Sequence, residues 1–96
     1  MTAYLIAKVD VTDMDQYKNY IKVTPGIIEQ FGGRFIARGG EVATLEGPEE
    51  TRRVVLLEFP SMEQAKAFYN SDEYQAAIKI REGAATGSFI AVDGLE

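Results

Sequence analysis

Two arginines on one short apolar segment are the residues best suited to chemistry in this sequence. Arg34 and Arg38 lie between the glycine pairs at 32–33 and 39–40. Side chains of a β-strand alternate between its two faces, so both arginines are predicted to share one face. Two guanidinium groups there could converge on a carboxylate or an enolate. The structural interpretation is that they pair with Glu58 or with an acidic residue of a partner subunit.

Glu58 brings a carboxylate to the end of an apolar strand segment, on the face of Val54 and Leu56 and just before Pro60. Burial without a partner would raise the pKa of this carboxyl, as a general acid or base near neutrality requires. An ion pair with Arg38 would lower that pKa instead. If the protein is an enzyme, Glu58 and Arg38 are the predicted catalytic residues; a structural ion pair is the alternative.

Four aromatic side chains are candidates for lining a ligand pocket together with the arginines: Tyr17, Tyr20, Phe35 and Tyr74. A phenol hydroxyl in such a pocket could polarise a ligand carbonyl. Tyr17 also lies on the apolar stripe of a predicted helix, where core packing with a satisfied hydroxyl explains it. Tyr20 is less well explained as a core residue. Arg81 is predicted to complement the dipole at the end of the last helix or to reach back to Glu73 or Glu82.

Composition narrows the chemistry further. The chain has no histidine and no cysteine, which excludes thiolate nucleophiles, disulfides and the usual neutral-pH base. The acidic residues at 41, 46, 49 and 50 match no calcium loop, so we expect no metal and no cofactor. A net charge of −5 argues against binding nucleic acid, which requires clustered basic residues.

Hydrophobic periodicity predicts the order strand, helix, strand, short hairpin arm, strand, helix, strand. The strands are expected near residues 3–9, 34–38, 53–59 and 88–92, with the edge strand or hairpin arm at 41–46. The first helix, capped by Thr12 or Asp13, is expected to kink or restart at Pro25, with Thr24 as a new cap. Ser61 is expected to cap the second helix, which re-caps at 70–73.

This order is the split β-α-β arrangement of an α+β ferredoxin-like fold, with an antiparallel sheet and the helices on one face. We expect a single domain over residues 1–96. The other face of the sheet is too aliphatic to remain exposed, so two copies are expected to close sheet on sheet as a homodimer. Without a signal peptide or an apolar span, the protein is expected to be cytoplasmic with no membrane partner.

Segments 32–40, 45–47, 54–61 and 71–75, together with Arg81, resemble the family described as domain of unknown function 1330. The resemblance covers nearly the whole chain and implies a dimeric α+β barrel of ferredoxin-like subunits. That architecture is shared with cofactor-free monooxygenases, lactone isomerases, haem-dependent dismutases and ligand-sensing regulator domains, so the fold does not select a function. Many members have a histidine just before the glycine pair, where this chain has Phe31.

Two functions are compatible with these observations. In the first, each subunit of a homodimer encloses a small apolar cavity with Arg38, Glu58 and tyrosine hydroxyls as its polar groups. That cavity would bind or transform a small organic acid or an oxygenated ring without a metal. In the second, the protein is a non-catalytic binding or stress-related interaction module whose sheet face is filled by dimer packing. A cavity of roughly 300 Å³ or more would count against the second function.

Overall fold

Seven regular elements form within residues 1–95, the part of the chain that the computed structural model describes. They are the strands β1 (Ala3–Val11), β2 (Arg34–Arg38), β3 (Arg53–Phe59) and β4 (Ala85–Asp93), and the helices α1 (Met14–Gln30), α2 (Met62–Asn70) and α3 (Asp72–Ile80). The four strands were expected. In this part of the chain, none of the helices is both long and apolar enough to cross a membrane.

The strands form one antiparallel sheet in the order β2-β3-β1-β4. Strand β1 alternates strictly: Ala3, Leu5, Ala7 and Val9 are buried under the helices, and the residues between them are not. Together with the order of elements, this topology is the α+β ferredoxin-like fold that the sequence predicted.

Short polar side chains begin each helix, as their positions in the sequence indicate. Asp13 Oδ1 accepts a hydrogen bond from the backbone N–H of Gln16, and Ser61 Oγ accepts one from Gln64. Ser71 separates α2 from α3: its hydroxyl donates to the Phe68 carbonyl at 2.7 Å and accepts from the Tyr74 N–H. The predicted re-capping at 70–73 is therefore confirmed.

The sequence predicted that helix α1 kinks or restarts at Pro25, and the structure shows that it does not restart. The helix runs from Met14 to Gln30 with Pro25 inside it. Proline lacks the N–H that would bond to the carbonyl of Ile21. The hydroxyl of Thr24 reaches that carbonyl at 3.5 Å, so Thr24 compensates for the missing donor inside the helix and does not cap a new one.

The edge strand predicted at 41–46 does not form. Residues 40–52 lack helix and strand structure, and the backbone N–H of Gly39 bonds to the carbonyl of Val54. Residues 41–46 are all exposed, including Leu45 at 93%. The alternation of apolar and polar residues in this segment therefore does not reflect packing of one side against the core. We call residues 40–52 the β2–β3 loop.

A bulge in β2 places the two predicted site arginines on opposite faces of the sheet. Phe35 pairs with Leu57, and the next paired residue, Ala37, is opposite Leu56. Ile36 is therefore an extra residue that reverses the alternation after it. Arg34 lies opposite Glu58, whereas Arg38 lies opposite Val55. The prediction of a shared face for Arg34 and Arg38 is wrong.

The sheet face opposite the helices carries apolar side chains that no other part of residues 1–95 covers. Ile90 pairs with Ile6 on this face, and Val92 pairs with Tyr4. Ile90 is 61% exposed and Val92 is 48% exposed. We call this surface the open face.

Candidate functional site

A cleft lies between the helices and the inner face of the sheet. Its cavity volume is about 40 Å³, and all the space between its walls, open solvent included, is about 450 Å³. Most of the wall is apolar, with Ala7, Ile28, Leu57 and Phe68 among its residues. The polar and aromatic residues predicted from the sequence that meet here are Tyr17, Tyr20, Phe35, Arg38 and Tyr74.

Arg53, at the start of β3, joins Arg38 in the wall of the cleft. Arg53 pairs with Val9, a residue buried on the inner face, and Arg38 pairs with Val55 two positions further along β3. The two arginines therefore share the inner face. The guanidinium carbon of Arg53 lies 5.9 Å from the ring centre of Tyr17. That of exposed Arg38 lies 4.3 Å from the ring centre of Phe35.

Arg81 adds a buried guanidinium group behind the aromatic wall. Arg81 is the first residue after α3, and only 7% of its surface is exposed. The guanidinium carbon lies 5.3 Å from the ring centre of Tyr20 and 5.6 Å from that of Phe89, two rings that line the cleft. Its Nη1 donates weakly to the Ala85 carbonyl at 3.4 Å. Arg81 therefore packs against two aromatic rings and donates a hydrogen bond, in addition to placing a charge at the end of a helix.

None of Arg38, Arg53 and Arg81 forms an ion pair within residues 1–95. The ion pairs of this region are Lys8–Glu50, Arg52–Glu50 and Arg34–Glu58. The Nε atoms of Arg53 and Arg81 are also buried without a hydrogen-bond partner there. In a chain with a net charge of −5, the cleft therefore has an unbalanced positive charge and unused donors.

The three tyrosines of the cleft are hydrogen-bond donors and poor bases. Burial raises the pKa of Tyr17, and the positive charges of Arg53, Arg81 and Arg38 act in the opposite direction. Burial also raises the pKa of Tyr20 and of Tyr74, whose hydroxyls lie 2.6 Å apart. All three phenols consequently keep their protons near neutral pH.

Glu58 lies outside the cleft. On the open face, Arg34 Nη2 donates to Glu58 Oε2 at 3.0 Å, and Arg34 Nε donates to Oε1 at 3.3 Å. The predicted pairing of Glu58 with an arginine is confirmed, but the partner is Arg34 and not Arg38. A catalytic role for Glu58 stays a prediction, and it would act on a different face of the sheet from Arg38.

Sequence reasoning missed Arg53 and Arg81 as residues of this region. Arg53 did carry a signal, because it shares its strand face with Val55, Leu57 and Phe59 and so belongs to the buried side. The position of Arg81 depends on how α3 packs against α1, which no local pattern reports. Over residues 1–95, no cluster of three or more acidic side chains could hold a metal ion.

Solved structures similar to this one share its fold. A protein of unknown function from Rhodopseudomonas palustris has a TM-score of 0.77 at 21% identity, covering 99% of this chain and 83% of that chain. A dimeric ferredoxin-like protein of unknown function from Jannaschia sp. CCS1 has a TM-score of 0.71 at 13% identity, covering 98% and 100%. SnoaB, a cofactor-independent oxygenase from Streptomyces nogalater, has a TM-score of 0.69 at 7% identity, covering 99% and 94%.

Sequence comparisons give a family but no individual relative. No curated protein matches the chain. The family described as Domain of unknown function (DUF1330) matches residues 2–95. Since this match spans nearly the whole chain, the protein belongs to the DUF1330 family.

Proposed function

We propose that the protein is a homodimer that binds a small organic acid in the cleft between its helices and sheet. Arg53 and Arg38 hold the ligand carboxylate, and Tyr17 donates to it. The observation that carries this proposal is that the guanidinium groups of Arg38, Arg53 and Arg81 have no acidic partner in residues 1–95. A buried or half-buried cation without a counter-ion is costly, and a bound carboxylate supplies that counter-ion.

The apolar wall of the cleft restricts the part of the ligand beyond its carboxylate to hydrocarbon. Side chains such as Ile28, Val55 and Leu57 accept hydrocarbon and offer no polar group. A cavity of about 40 Å³ has room for about one water molecule, so a ligand requires the cleft to open. Exposed Arg38 opens it when its guanidinium group leaves the ring of Phe35 and turns to the ligand carboxylate.

Binding is better supported than proton-transfer catalysis. A general base needs a pKa near the working pH, and the phenols of the cleft have raised pKa values. The carboxylate that could have served, Glu58, is paired with Arg34 on the open face. The arginines and tyrosines stabilise a negative charge but remove no proton.

The open face supports the homodimer. Its exposed Ile90 and Val92 would be covered by the same face of a second copy, as in a two-fold symmetric interface. The similar ferredoxin-like protein from Jannaschia is dimeric. Dimerisation through this face leaves the cleft on the other side of the sheet accessible.

The test is a titration with pentanoate followed by shifts of backbone amide signals in NMR spectra. Arg53→Gln should weaken pentanoate binding at least about tenfold, because a charge-assisted hydrogen bond contributes about 1.5–3 kcal/mol. The matched control is Arg52→Gln, which alters the neighbouring arginine that is paired with Glu50. Pentylamine, a cation of similar shape, should not bind. Equal affinity of Arg53→Gln and Arg52→Gln for pentanoate would exclude the proposed site.

The second candidate function is an interaction module without a ligand. The small enclosed volume of about 40 Å³ favours it, because ligand cavities are usually several hundred Å³. In that case, pentanoate and other small acids would produce no amide shifts near Tyr17, and Arg53→Gln would alter only stability.

A further inference from the structure

The hydroxyl groups of Tyr20 and Tyr74 meet at the buried end of the cleft, 2.6 Å apart. Both residues line the cleft, with 7% and 1% of their surfaces exposed. Two hydroxyls carry two protons, and the hydrogen bond between them uses one. In residues 1–95, neither hydroxyl donates to any other acceptor. One buried O–H group is therefore without an acceptor.

Arg81 brings a second unused donor and a positive charge to the same place. Its guanidinium group packs against the ring of Tyr20, and its Nε is buried without a hydrogen-bond partner in the described part of the chain. Its charge has no acidic partner there either. A ligand group that accepts hydrogen bonds and carries a negative charge would satisfy both needs, which an ammonium group or a hydrocarbon cannot.

We propose that Tyr20 and Tyr74, with the charge of Arg81 behind them, form a second acid subsite, so that the ligand class of this protein is a small dicarboxylate. One carboxylate binds Arg53 and Arg38 near the mouth, and the other accepts from the tyrosine hydroxyls at the buried end. The apolar wall between them, including Ile28 and Leu57, contacts the hydrocarbon chain. This inference rests on the proposed function, because it adds a second subsite to the same cleft.

The experiment compares acids of equal length that differ in one carboxylate. Pentanoate is matched with glutarate, and hexanoate with adipate, by NMR titration at constant ionic strength. At least one dicarboxylate should bind tenfold or more tightly than its matched monocarboxylate. Tyr74→Phe, which keeps the ring and removes the hydroxyl, should reduce that preference to less than about twofold. Tyr69→Phe is the control, since the Tyr69 ring packs 5.4 Å from that of Tyr74 but does not line the cleft.

The outcomes separate the two proposals. If monocarboxylates and dicarboxylates bind equally and both depend on Arg53, the second subsite is excluded and the proposed function stands. If neither kind of acid binds, the proposed function fails together with the subsite. If Tyr74→Phe weakens both kinds equally, Tyr74 has only a structural role and the inference is overturned. Should Tyr74→Phe fail to fold, Tyr20→Phe provides the same comparison through the other hydroxyl.

Discussion

At the residue scale, Gly39 determines where the guanidinium group of Arg53 lies. Gly39 has a φ of +68°, a conformation that residues with a Cβ rarely adopt. A Cβ at this position would lie 2.6 Å from the guanidinium carbon of Arg53. The second glycine of the pair, Gly40, has no atom within 4 Å of its Cβ position and no positive φ. The two adjacent glycines therefore have different functions.

Gly39→Ala should weaken pentanoate binding about as much as Arg53→Gln, because the new methyl group displaces the guanidinium group. It should also lower the free energy of unfolding by about 1–3 kcal/mol, the cost of a non-glycine residue in this backbone conformation. NMR titration and urea unfolding measure these two effects. Gly40→Ala is the control and should change neither by much. Equal pentanoate affinity of the two variants would show that Gly39 does not position Arg53.

At the element scale, Glu50 attaches the end of the β2–β3 loop to the sheet. Its carboxylate accepts from Arg52 Nε at 2.9 Å and from Arg52 Nη2 at 3.0 Å, and Lys8 Nζ of β1 lies 3.4 Å away. Hydrogen bonds from Arg52 lower the pKa of the Glu50 carboxyl from 4.5 to about 2. The ionised form is therefore favoured in the folded protein.

This shift predicts a pH dependence of stability. Because the pKa of Glu50 is lower in the folded state than in the unfolded state, its stabilisation is complete above about pH 4.5 and is lost as the pH falls towards 2. The difference in unfolding free energy between wild type and Glu50→Gln should be constant from pH 5 to 7 and should shrink below pH 4.5. Urea unfolding at several pH values measures it, with Glu49→Gln as the control. A difference that does not change between pH 7 and pH 3 would contradict the role of Glu50.

At the scale of the whole molecule, the sheet separates two surfaces with different proposed functions. The inner face forms one wall of the cleft, and the open face carries exposed Ile90 and Val92 beside the Arg34–Glu58 ion pair. A partner on the open face would cover these apolar side chains without blocking the cleft. Ligand binding and dimerisation can therefore be disrupted independently.

Ile90→Glu should convert the dimer to a monomer, because it introduces a charge at the centre of the proposed interface. The side chain is 61% exposed in one chain, so the monomer should remain folded. Light scattering after size-exclusion chromatography measures the mass, and circular dichroism measures the fold. Leu45→Glu is the control, since Leu45 is 93% exposed in the β2–β3 loop and lies off the sheet. A wild-type protein that is monomeric at micromolar concentration would refute the homodimer.

Much of the fold could be predicted because its signals are local. The positions of the strands, the serine and aspartate caps, and the order of the elements depend on residues a few positions apart. The pairing of β2 with β3 involves residues about 20 positions apart, and the bulge at Ile36 within it reversed the predicted face of Arg38. The segment at 41–46 alternates as a strand does, but it lacks a buried layer to pack against.

By itself, the sequence determined the ferredoxin-like order of elements, the residues that begin the helices, and the exclusion of histidine and cysteine chemistry. Only the tertiary structure decided that Arg34 belongs with Glu58 on the open face and that Arg38 joins Arg53 in the cleft. Hydrophobic periodicity reports which side of an element is buried. The register between strands and the packing of α3 against α1 decide which charged groups meet, and those depend on contacts between residues far apart in the chain.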